Sequence, residues 1–441
     1  MKIFFQSFGC DKNRVDTEHM LYLLREAGYE FTDDETNADI AILNTCCFIG
    51  DAKKESIEEI LRLATLKESA SLKSLIVTGC LSERYSRDFY EALPEVDGIL
   101  GISAWDSIVS VVKKALKGEK PAVFQDKNRL CTVSGRVLST EGYYAYLKIA
   151  EGCDKRCTYC VIPSVRGGYR SVPKETLLKE ARELVAMGVK ELILVAQETT
   201  VYGLDLYGKK ALPELLRELA AIDGIEWIRL LYCYPEEITD ELVETVKTVP
   251  KIVKYLDLPI QHASDRVLKR MNRKTTRKEI KERIRFIRKE IPNITLRTTM
   301  ITGFPGETEK DFEELRSFVK SMHFDRLGVF AYSKEDGTPA AKLKEQVPKR
   351  IKEKRRNEIM KLQAEISLKN GLKKVGKKVR ALVVGSLSDE PDCYVLRTEG
   401  DAPEVDGFLF VRSPLPLCSG DFVNVRITGA NEYDLTGELL S

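Results

Sequence analysis

The chain has almost no net charge, no long hydrophobic run and no internal repeat. Its 70 lysines and arginines nearly balance 68 aspartates and glutamates, leaving +2, so charge over the whole molecule does not by itself demand a nucleic-acid partner. No run approaches the ~18 apolar residues that cross a bilayer. The amino terminus, MKIFFQSFGC, lacks the apolar region and cleavage site of a secretion signal. We therefore expect a cytoplasmic protein without membrane contact.

Length and cysteine content set the next limits. At ~100 to 200 residues per domain, 441 residues predict a multidomain enzyme of two to four domains. The chain has eleven cysteines. In a long cytosolic chain, cysteines are metal ligands, catalytic thiols or small buried hydrophobes more often than disulfides.

Residues 1–125 alternate apolar runs with helical patterns. The runs KIFFQSF, DIAILNT and SLIVTG predict strands, and the segments 15–27, 52–66, 83–93 and 105–116 predict helices. This alternation is typical of an α/β domain with a parallel sheet. The polar residues 126–139 have no clear period and predict a linker.

A second βα series occupies residues 140–372. Its predicted strands are 144–151, 191–196, 227–232, 255–260, 295–301 and 326–332, each followed by a helical pattern. Such a series predicts a barrel or partial barrel. From 373 to 441 the pattern changes to short alternating strands broken by Gly, Pro and Asp, which predicts a small antiparallel β-barrel.

The segment EGCDKRCTYC carries the strongest local motif. Cys153, Cys157 and Cys160 follow a predicted strand with three and then two intervening residues. Three thiolates can hold three irons of a 4Fe-4S cube and leave the fourth iron open. A zinc site would need a fourth protein ligand, and none is adjacent in sequence. The alternative is three incidental thiols in a loop.

The CxxxCxxC loop, with aromatic Tyr159 inside it and a βα barrel around it, resembles the radical S-adenosylmethionine superfamily over residues 140–370. The resemblance implies that the open iron binds S-adenosylmethionine and that one electron splits it to a 5'-deoxyadenosyl radical. It assigns Tyr159, Gln197 and Gly303 to S-adenosylmethionine, with Glu198 beside Gln197 for the methionine amine. Alternatively, Gln197 caps a helix and Gly303 belongs to an ordinary turn.

Three more cysteines end strands of the amino-terminal sheet. Cys10, Cys46 and Cys80 each follow a predicted strand, and parallel strands bring their carboxyl ends to one edge. We therefore expect a second 4Fe-4S cluster there, although each cysteine alone would more often be a buried hydrophobe. Cys47 is interpreted as packing, with a substitute ligand as the alternative. The remaining thiols are expected to be structural: Cys131, Cys233, Cys393 and Cys418.

A three-cysteine sheet domain, a radical S-adenosylmethionine barrel and a TRAM-like barrel together resemble the methylthiotransferase family. The resemblance implies that the second cluster handles sulfur, that one S-adenosylmethionine methylates that sulfur, and that another supplies the radical. An unactivated C-H is not acidic enough for a general base, so no catalytic acid-base pair is expected beyond the cluster ligands. The expected partners are a reductant protein such as flavodoxin or ferredoxin, and the expected state is a monomer.

Three stretches resemble the protein-modifying branch of that family: FGCDKNRVDTE, YLDLPIQHASDRVLKRM and EGDAPEVDG. The resemblance implies a methylthio group on the β-carbon of an aspartate in ribosomal protein twelve of the small subunit. Gln261 and His262 are the expected substrate-facing residues, although a lone histidine can also stabilise a loop. Asp11 stands where this branch commonly has Pro, and Val172 where Arg is common.

Local charge supports a protein substrate. Residues 385–441 contain three arginines and eleven acidic residues, a net charge of −8. An acidic barrel would repel RNA and attract a basic protein, and Asp401, Glu404 and Asp406 are the expected docking acids. The acids could also form a solvated face, and the basic segment PKRIKEKRRNEIMK could contact RNA. The competing functions are a transfer RNA adenosine methylthiotransferase and a non-enzymatic iron-sulfur RNA-binding or redox-sensing protein.

Overall fold

The structure is a computed structural model that describes residues 1–69, 72–131 and 133–440. Three β-sheet units follow one another along the chain: a parallel sheet, a second parallel sheet and a closed barrel. In the described part of the chain, no helix is long and apolar enough to cross a membrane.

The amino-terminal sheet has six parallel strands in the order β2-β1-β3-β4-β5-β6. Its central strands β3 and β4 are buried along their whole length, as expected for strands covered on both faces. The three predicted strands are present, and three short strands complete the sheet, β2 on one side and β5 and β6 on the other. The strands are β1 (Lys2–Ser7), β2 (Glu30–Phe31), β3 (Ile40–Thr45), β4 (Ser74–Gly79), β5 (Gly98–Leu100) and β6 (Ala122–Val123).

Five helices flank this sheet. The predicted helices 15–27 and 52–66 are present with longer bounds, whereas 83–93 is two short helices separated by a turn and 105–116 begins as a 3-10 turn (Trp105–Ser107). The helices are α1 (Asp11–Glu26), α2 (Gly50–Ser69), α3 (Cys80–Arg84), α4 (Phe89–Ala92) and α5 (Ile108–Ala115).

The predicted linker is packed against the domains that it joins. Its described residues form neither helix nor strand, but the Arg136 side chain is only 2% exposed and forms ion pairs with Glu18 of α1 and Glu180 beyond the linker. The segment therefore fixes the amino-terminal domain against the second sheet.

The second sheet has six parallel strands in the order β14-β13-β12-β11-β10-β7. The strands follow chain order and the sheet is open, so the predicted partial barrel is confirmed. The predicted first strand is divided between β7 and a short β8, which pairs with β9. The strands are β7 (Tyr144–Lys148), β8 (Ala150–Glu151), β9 (Arg170–Ser171), β10 (Glu191–Val195), β11 (Trp227–Leu230), β12 (Ile252–Gln261), β13 (Thr295–Thr302) and β14 (Arg326–Ala331).

Helices cover one face of this sheet, and other parts of the chain cover the opposite face. Alternate residues of β7 point to opposite faces: Ala145 and Leu147 pack in the helix-side core, whereas Tyr144 and Tyr146 pack with Val15 of α1 and with the carboxyl-terminal barrel. The helices are α6 (Ile162–Val165), α7 (Lys174–Ala186), α8 (Leu204–Tyr207), α9 (Leu212–Ala220), α10 (Asp240–Thr248), α11 (Asp265–Arg270), α12 (Arg277–Glu290) and α13 (Glu309–Met322).

A long helix, α14 (Lys349–Leu372), leads to a closed barrel of five strands. The predicted small β-barrel is confirmed, with one parallel pairing, β17 with β19. An odd number of strands cannot alternate in direction around a closed ring, so at least one pairing must be parallel. The strands are β15 (Lys378–Ser386), β16 (Cys393–Thr398), β17 (Leu409–Arg412), β18 (Phe422–Ala430) and β19 (Leu435–Leu439).

Candidate active site

Cys10, Cys46 and Cys80 lie at the carboxyl ends of neighbouring strands. Cys10 precedes α1, Cys46 follows β3 and Cys80 begins α3. Gly9, with a φ of +94°, lies so close to Cys46 that an added Cβ would be 2.9 Å from its Sγ. Only glycine allows this approach of the first loop to the second.

Asn13 holds these loops together. Its Nδ2 donates hydrogen bonds to Phe8 O at 2.9 Å and to Thr45 O at 3.0 Å, and its Oδ1 accepts from the Cys80 thiol at 3.8 Å. The Asn13 side chain thus contacts all three strand ends. Burial raises the pKa of Cys46 and of Cys80, and neighbouring thiols add to both rises.

The other cysteines have different surroundings. Cys47 is fully buried in the amino-terminal core, and its thiol donates to Cys80 O at 3.1 Å. This contact supports its interpretation as packing. Cys131 donates to Ser103 O at 3.1 Å, Cys233 and Cys393 are buried, and Cys418 is exposed.

The second triad lies in the loop after β8. Cys153 and Cys157 are buried and line a cavity of about 570 Å³, whereas Cys160 is partly buried and lies outside its lining. Burial raises the pKa of Cys153 to about 11, and the Cys157 thiol adds to that rise. Burial also raises the pKa of Cys160, with contributions from Cys157 and Cys153. The Cys157 thiol therefore lies near enough to the other two to raise the pKa of each.

Neither triad is shaped for a single metal ion. Among the described residues, no three His, Cys, Asp or Glu side chains meet closely enough to hold one ion. A cubane places a different iron on each cysteine, so its ligand sulfurs are spread further apart than those of a one-metal site. Three neighbouring thiols, on three loops in the amino-terminal triad and on one loop in the other, fit that larger group.

The cavity beside Cys153 and Cys157 contains charged groups of both signs. Glu198 is 1% exposed, and its Oε2 lacks a hydrogen bond among the described residues. Burial raises the pKa of Glu198 to about 7. Opposite charge comes from Lys155, 3.9 Å from that oxygen, and from Arg273, which has two buried nitrogens without hydrogen-bond partners in the described chain. Such unpaired buried groups suit a zwitterionic ligand.

The three residues predicted to bind S-adenosylmethionine have other contacts. Tyr159 packs in a small core with Phe304. Gln197 Nε2 donates to Glu151 at 2.8 Å, and it is its neighbour Glu198 that lines the cavity. Gly303 has a φ of +70°. A Cβ added at this position would lie 2.2 Å from Lys352 Cγ, so the Lys352 side chain packs directly against the glycine.

Gln261 is the last residue of β12, and His262 follows it. Gln261 has a φ of +73° and is partly exposed. His262 is fully buried: its Nδ1 accepts from Ser264 N at 3.0 Å, and its Nε2 is 3.5 Å from a Glu307 carboxylate oxygen. These contacts give His262 a loop-stabilising position, which is the alternative that the sequence left open.

A buried arginine contacts both cysteine sites, and the sequence reasoning missed it. Arg166 is 1% exposed, donates two 2.8 Å hydrogen bonds to Glu151 beside Cys153, and donates to Asn13 Oδ1 beside Cys80. Lys148 pairs with the same Glu151 at 2.9 Å and also contacts Asp16 of α1. The sequence gives only a weak indication of this role of Arg166, because charged residues near a motif are usually exposed to solvent.

The acids expected to dock a substrate point largely inward, which corrects the prediction. Asp401 is 1% exposed and pairs with Arg326, while the Asp406 side chain is 2% exposed and accepts from Tyr255 at 2.7 Å. Glu404 is 46% exposed and pairs with Arg14 at 2.5 Å. These acids attach the carboxyl-terminal barrel to the rest of the chain.

Replacing Asp401 with Asn should therefore destabilise the protein rather than weaken substrate docking. The change leaves Arg326 largely buried without its charge partner, which costs about 3 kcal/mol of unfolding free energy. Chemical denaturation followed by circular dichroism measures the loss. The control Asp392→Asn removes an exposed partner of Arg412 and should change stability little. Unaltered stability of the Asp401 variant would contradict the inward role.

Three family models match consecutive parts of the chain. Residues 2–101 match "Uncharacterized protein family UPF0004", residues 147–319 match "Radical SAM superfamily", and residues 375–440 match "TRAM domain". Their order agrees with the three sheet units.

Two relatives match nearly the whole chain, and both are named "Ribosomal protein uS12 methylthiotransferase RimO". The protein from Lachnoclostridium phytofermentans is 57% identical over 99% of each chain. The protein from Thermoanaerobacter sp. strain X514 is 51% identical over 98% of each chain.

Two solved structures share the fold at low sequence identity. The radical S-adenosylmethionine methyltransferase TsrM from Kitasatospora setae has a TM-score of 0.58 at 14% identity, over 77% of this chain and 76% of that one. The cobalamin-dependent S-adenosylmethionine radical enzyme OxsB has a TM-score of 0.51 at 15% identity, over 77% of this chain and 54% of that one.

Proposed function

Because the chain belongs to the RimO family of ribosomal protein uS12 methylthiotransferases, we propose that it adds a methylthio group to the β-carbon of an aspartate in uS12. The assignment to the protein-modifying branch made from three sequence stretches agrees with this family. The single observation in the structure that carries the proposal is Arg166, which contacts the surroundings of both cysteine triads. Two sites joined by one side chain can act on one substrate.

Members of this family use 4Fe-4S clusters and S-adenosylmethionine. We infer that Cys153, Cys157 and Cys160 bind the radical-forming cluster and that Cys10, Cys46 and Cys80 bind the second. When bound, the first cluster and S-adenosylmethionine supply the electron and the radical, and the second cluster supplies the site for sulfur. Two S-adenosylmethionine molecules per product, one for the methyl group and one for the radical, complete the proposal.

The chain's own residues bind, orient and separate these groups. The Glu198 carboxylate suits the amino group of S-adenosylmethionine and the Arg273 guanidinium suits its carboxylate, because both buried side chains have atoms without a hydrogen-bond partner among the described residues. Lys155, which is 25% exposed and pairs with Glu237, adds positive charge beside them. We assign these three residues to the methionine end, and Tyr159 and Gly303 remain proposed contacts of S-adenosylmethionine. Gln197 acts indirectly, since it orients Glu151.

The Arg166 guanidinium supports the amino-terminal site. Its positive charge lies near enough to Cys80 and Cys46 to lower the pKa of each thiol against the effect of burial. A fixed cation also offsets negative charge on a cluster held by three thiolates. Glu151 balances this cation on the side of the first cluster, so the charges between the two sites are paired.

The remaining proposals concern organisation and partners. We propose a methylthiotransferase domain over 1–125, a linker over 126–139, a radical S-adenosylmethionine barrel over 140–372 and a substrate-recognition barrel over 373–441. A monomer receives electrons from a reductant protein such as flavodoxin or ferredoxin. Residues 385–441 still have an acidic surface, because two of their arginines are exposed, Arg412 and Arg426, against eight of their eleven acids: Asp389, Glu390, Asp392, Glu399, Glu404, Asp421, Glu432 and Glu438.

Product analysis tests the substrate. The anaerobically reconstituted enzyme, given S-adenosylmethionine, sulfide and a chemical reductant, should add a methylthio group to an aspartate of uS12 and leave bulk transfer RNA unmodified. Mass spectrometry of the digested protein and of nucleosides measures both. Higher salt should slow uS12 modification, because exposed charges are screened beyond ~8 Å near physiological ionic strength. A methylthio group on adenosine with untouched uS12 would show that the substrate proposal is wrong.

A further inference from the structure

Lys12 has a largely buried side chain and lies between the amino-terminal domain and the partial barrel. It lies in the first turn of α1, two residues after Cys10. Its side chain is 5% exposed, and its Nζ lies 3.4 Å from the centroid of the Tyr232 ring. A cation–π contact is favourable for a desolvated ammonium, but it gives none of the three N–H donors a hydrogen-bond acceptor.

The ammonium lacks a hydrogen-bonded anion within the described chain. Its nearest carboxylate, Asp11, is 3.9 Å away, and that carboxylate accepts a hydrogen bond from the Tyr232 hydroxyl at 3.0 Å. No described residue accepts a hydrogen bond from Lys12 Nζ. Burying an ammonium is costly unless it is paired and hydrogen-bonded, so this site has capacity for one more anionic acceptor.

The position of Tyr232 connects this ammonium to the reaction site. Tyr232 follows β11 in a left-handed conformation, with a φ of +58°, at the carboxyl end of the barrel strands. Two residues later, the Tyr234 hydroxyl is 4.0 Å from Cys157 Sγ and lines the cavity. The same strand end therefore contacts Lys12 on one side and the radical-forming site on the other.

We propose that Lys12 binds the side-chain carboxylate of the substrate aspartate and so selects aspartate over its neutral amide. This inference rests on the proposed function. The carbon to be modified is bonded directly to that carboxylate, so an ammonium two residues from Cys10 anchors the carbon between the two cysteine triads. Cys10 and Asp11 are partly exposed, which leaves this place open to a side chain from outside.

A binding experiment tests the charge of Lys12 separately from turnover. Reconstituted enzyme without reductant is titrated with uS12 and with uS12 in which the target aspartate is replaced by Asn. The unaltered enzyme should bind native uS12 about 10-fold more tightly, as expected for one charge-assisted contact. In Lys12→Met this preference should fall to about 1, while iron content is unchanged. Lys12→Arg should retain most of it.

Lys120→Met is the matched control, because Lys120 also lies over a tyrosine ring, that of Tyr90, but on the far part of the domain. It should keep the full preference. The proposal is overturned if the unaltered enzyme does not distinguish the two substrates. It is also overturned if Lys12→Met keeps the preference, whether or not that variant loses half its iron. Failure of the unaltered enzyme to modify uS12 at all would instead overturn the proposed function.

Discussion

Replacing Cys153, Cys157 and Cys160 together with Ala should remove about half of the iron and abolish 5'-deoxyadenosine formation. The two triads lie on loops of different sheets, so loss of one ligand set leaves the other complete. Without the first cluster no electron reaches S-adenosylmethionine, and uS12 modification should fall below detection. Iron analysis, electron paramagnetic resonance after reduction and chromatography of the nucleoside product measure the three effects.

A thiol-matched control keeps this result interpretable. Cys131, Cys393 and Cys418 lie outside both triads, and their triple replacement by Ala should keep full iron content and activity. Loss of all iron in the barrel variant would contradict two independent clusters. Retention of all iron would show that these three cysteines are not the ligands.

The complementary variant, with Cys10, Cys46 and Cys80 replaced by Ala, should separate radical formation from sulfur transfer. Its barrel triad and its cavity with Glu198 are intact, so reductive cleavage of S-adenosylmethionine should continue. Methylthio transfer should fall below detection, because the sulfur site has lost its ligands. The measurements are 5'-deoxyadenosine yield and the mass of the uS12 peptide from the same reaction.

Two outcomes would contradict the assignment of the amino-terminal triad. Full methylthio transfer in this variant would mean that the sulfur is held elsewhere. Loss of methylthio transfer in Cys47→Ala as well as in the triad variant would indicate that Cys47 is a ligand. That result would contradict the packing role inferred from its full burial and its contact with Cys80 O.

The fold followed from patterns that are local in the sequence. Continuous apolar runs such as IAILNT and SLIVTG predicted central parallel strands, and they are buried along their whole length. Alternation of strands and helices predicted a barrel or partial barrel of six βα units, and the six strands form one open sheet. Short edge strands such as Glu30–Phe31 were missed because two residues carry no periodic signal.

The two cysteine triads could be proposed from the sequence because each combines residue type with position in a βα unit. The amino-terminal triad follows three strands of a parallel sheet, which brings such positions together, whereas the other triad lies within one loop after β8. Charged residues behave differently, since their partners are far apart in sequence. Asp401 and Asp406 were expected at the surface, yet Arg326 and Tyr255 bury them.

The sequence by itself therefore determined the three-unit architecture and the family, and it indicated the two cysteine triads, because each depends on short-range patterns and chemically specific residues. Only the tertiary structure decided the surroundings of His262, the position of Arg166 between the two triads, and the lack of a hydrogen-bond acceptor for Lys12 Nζ among the described residues. The physical reason is that desolvation and ion pairing depend on which distant segments meet. A charged residue is solvated or buried according to contacts that sequence spacing does not encode.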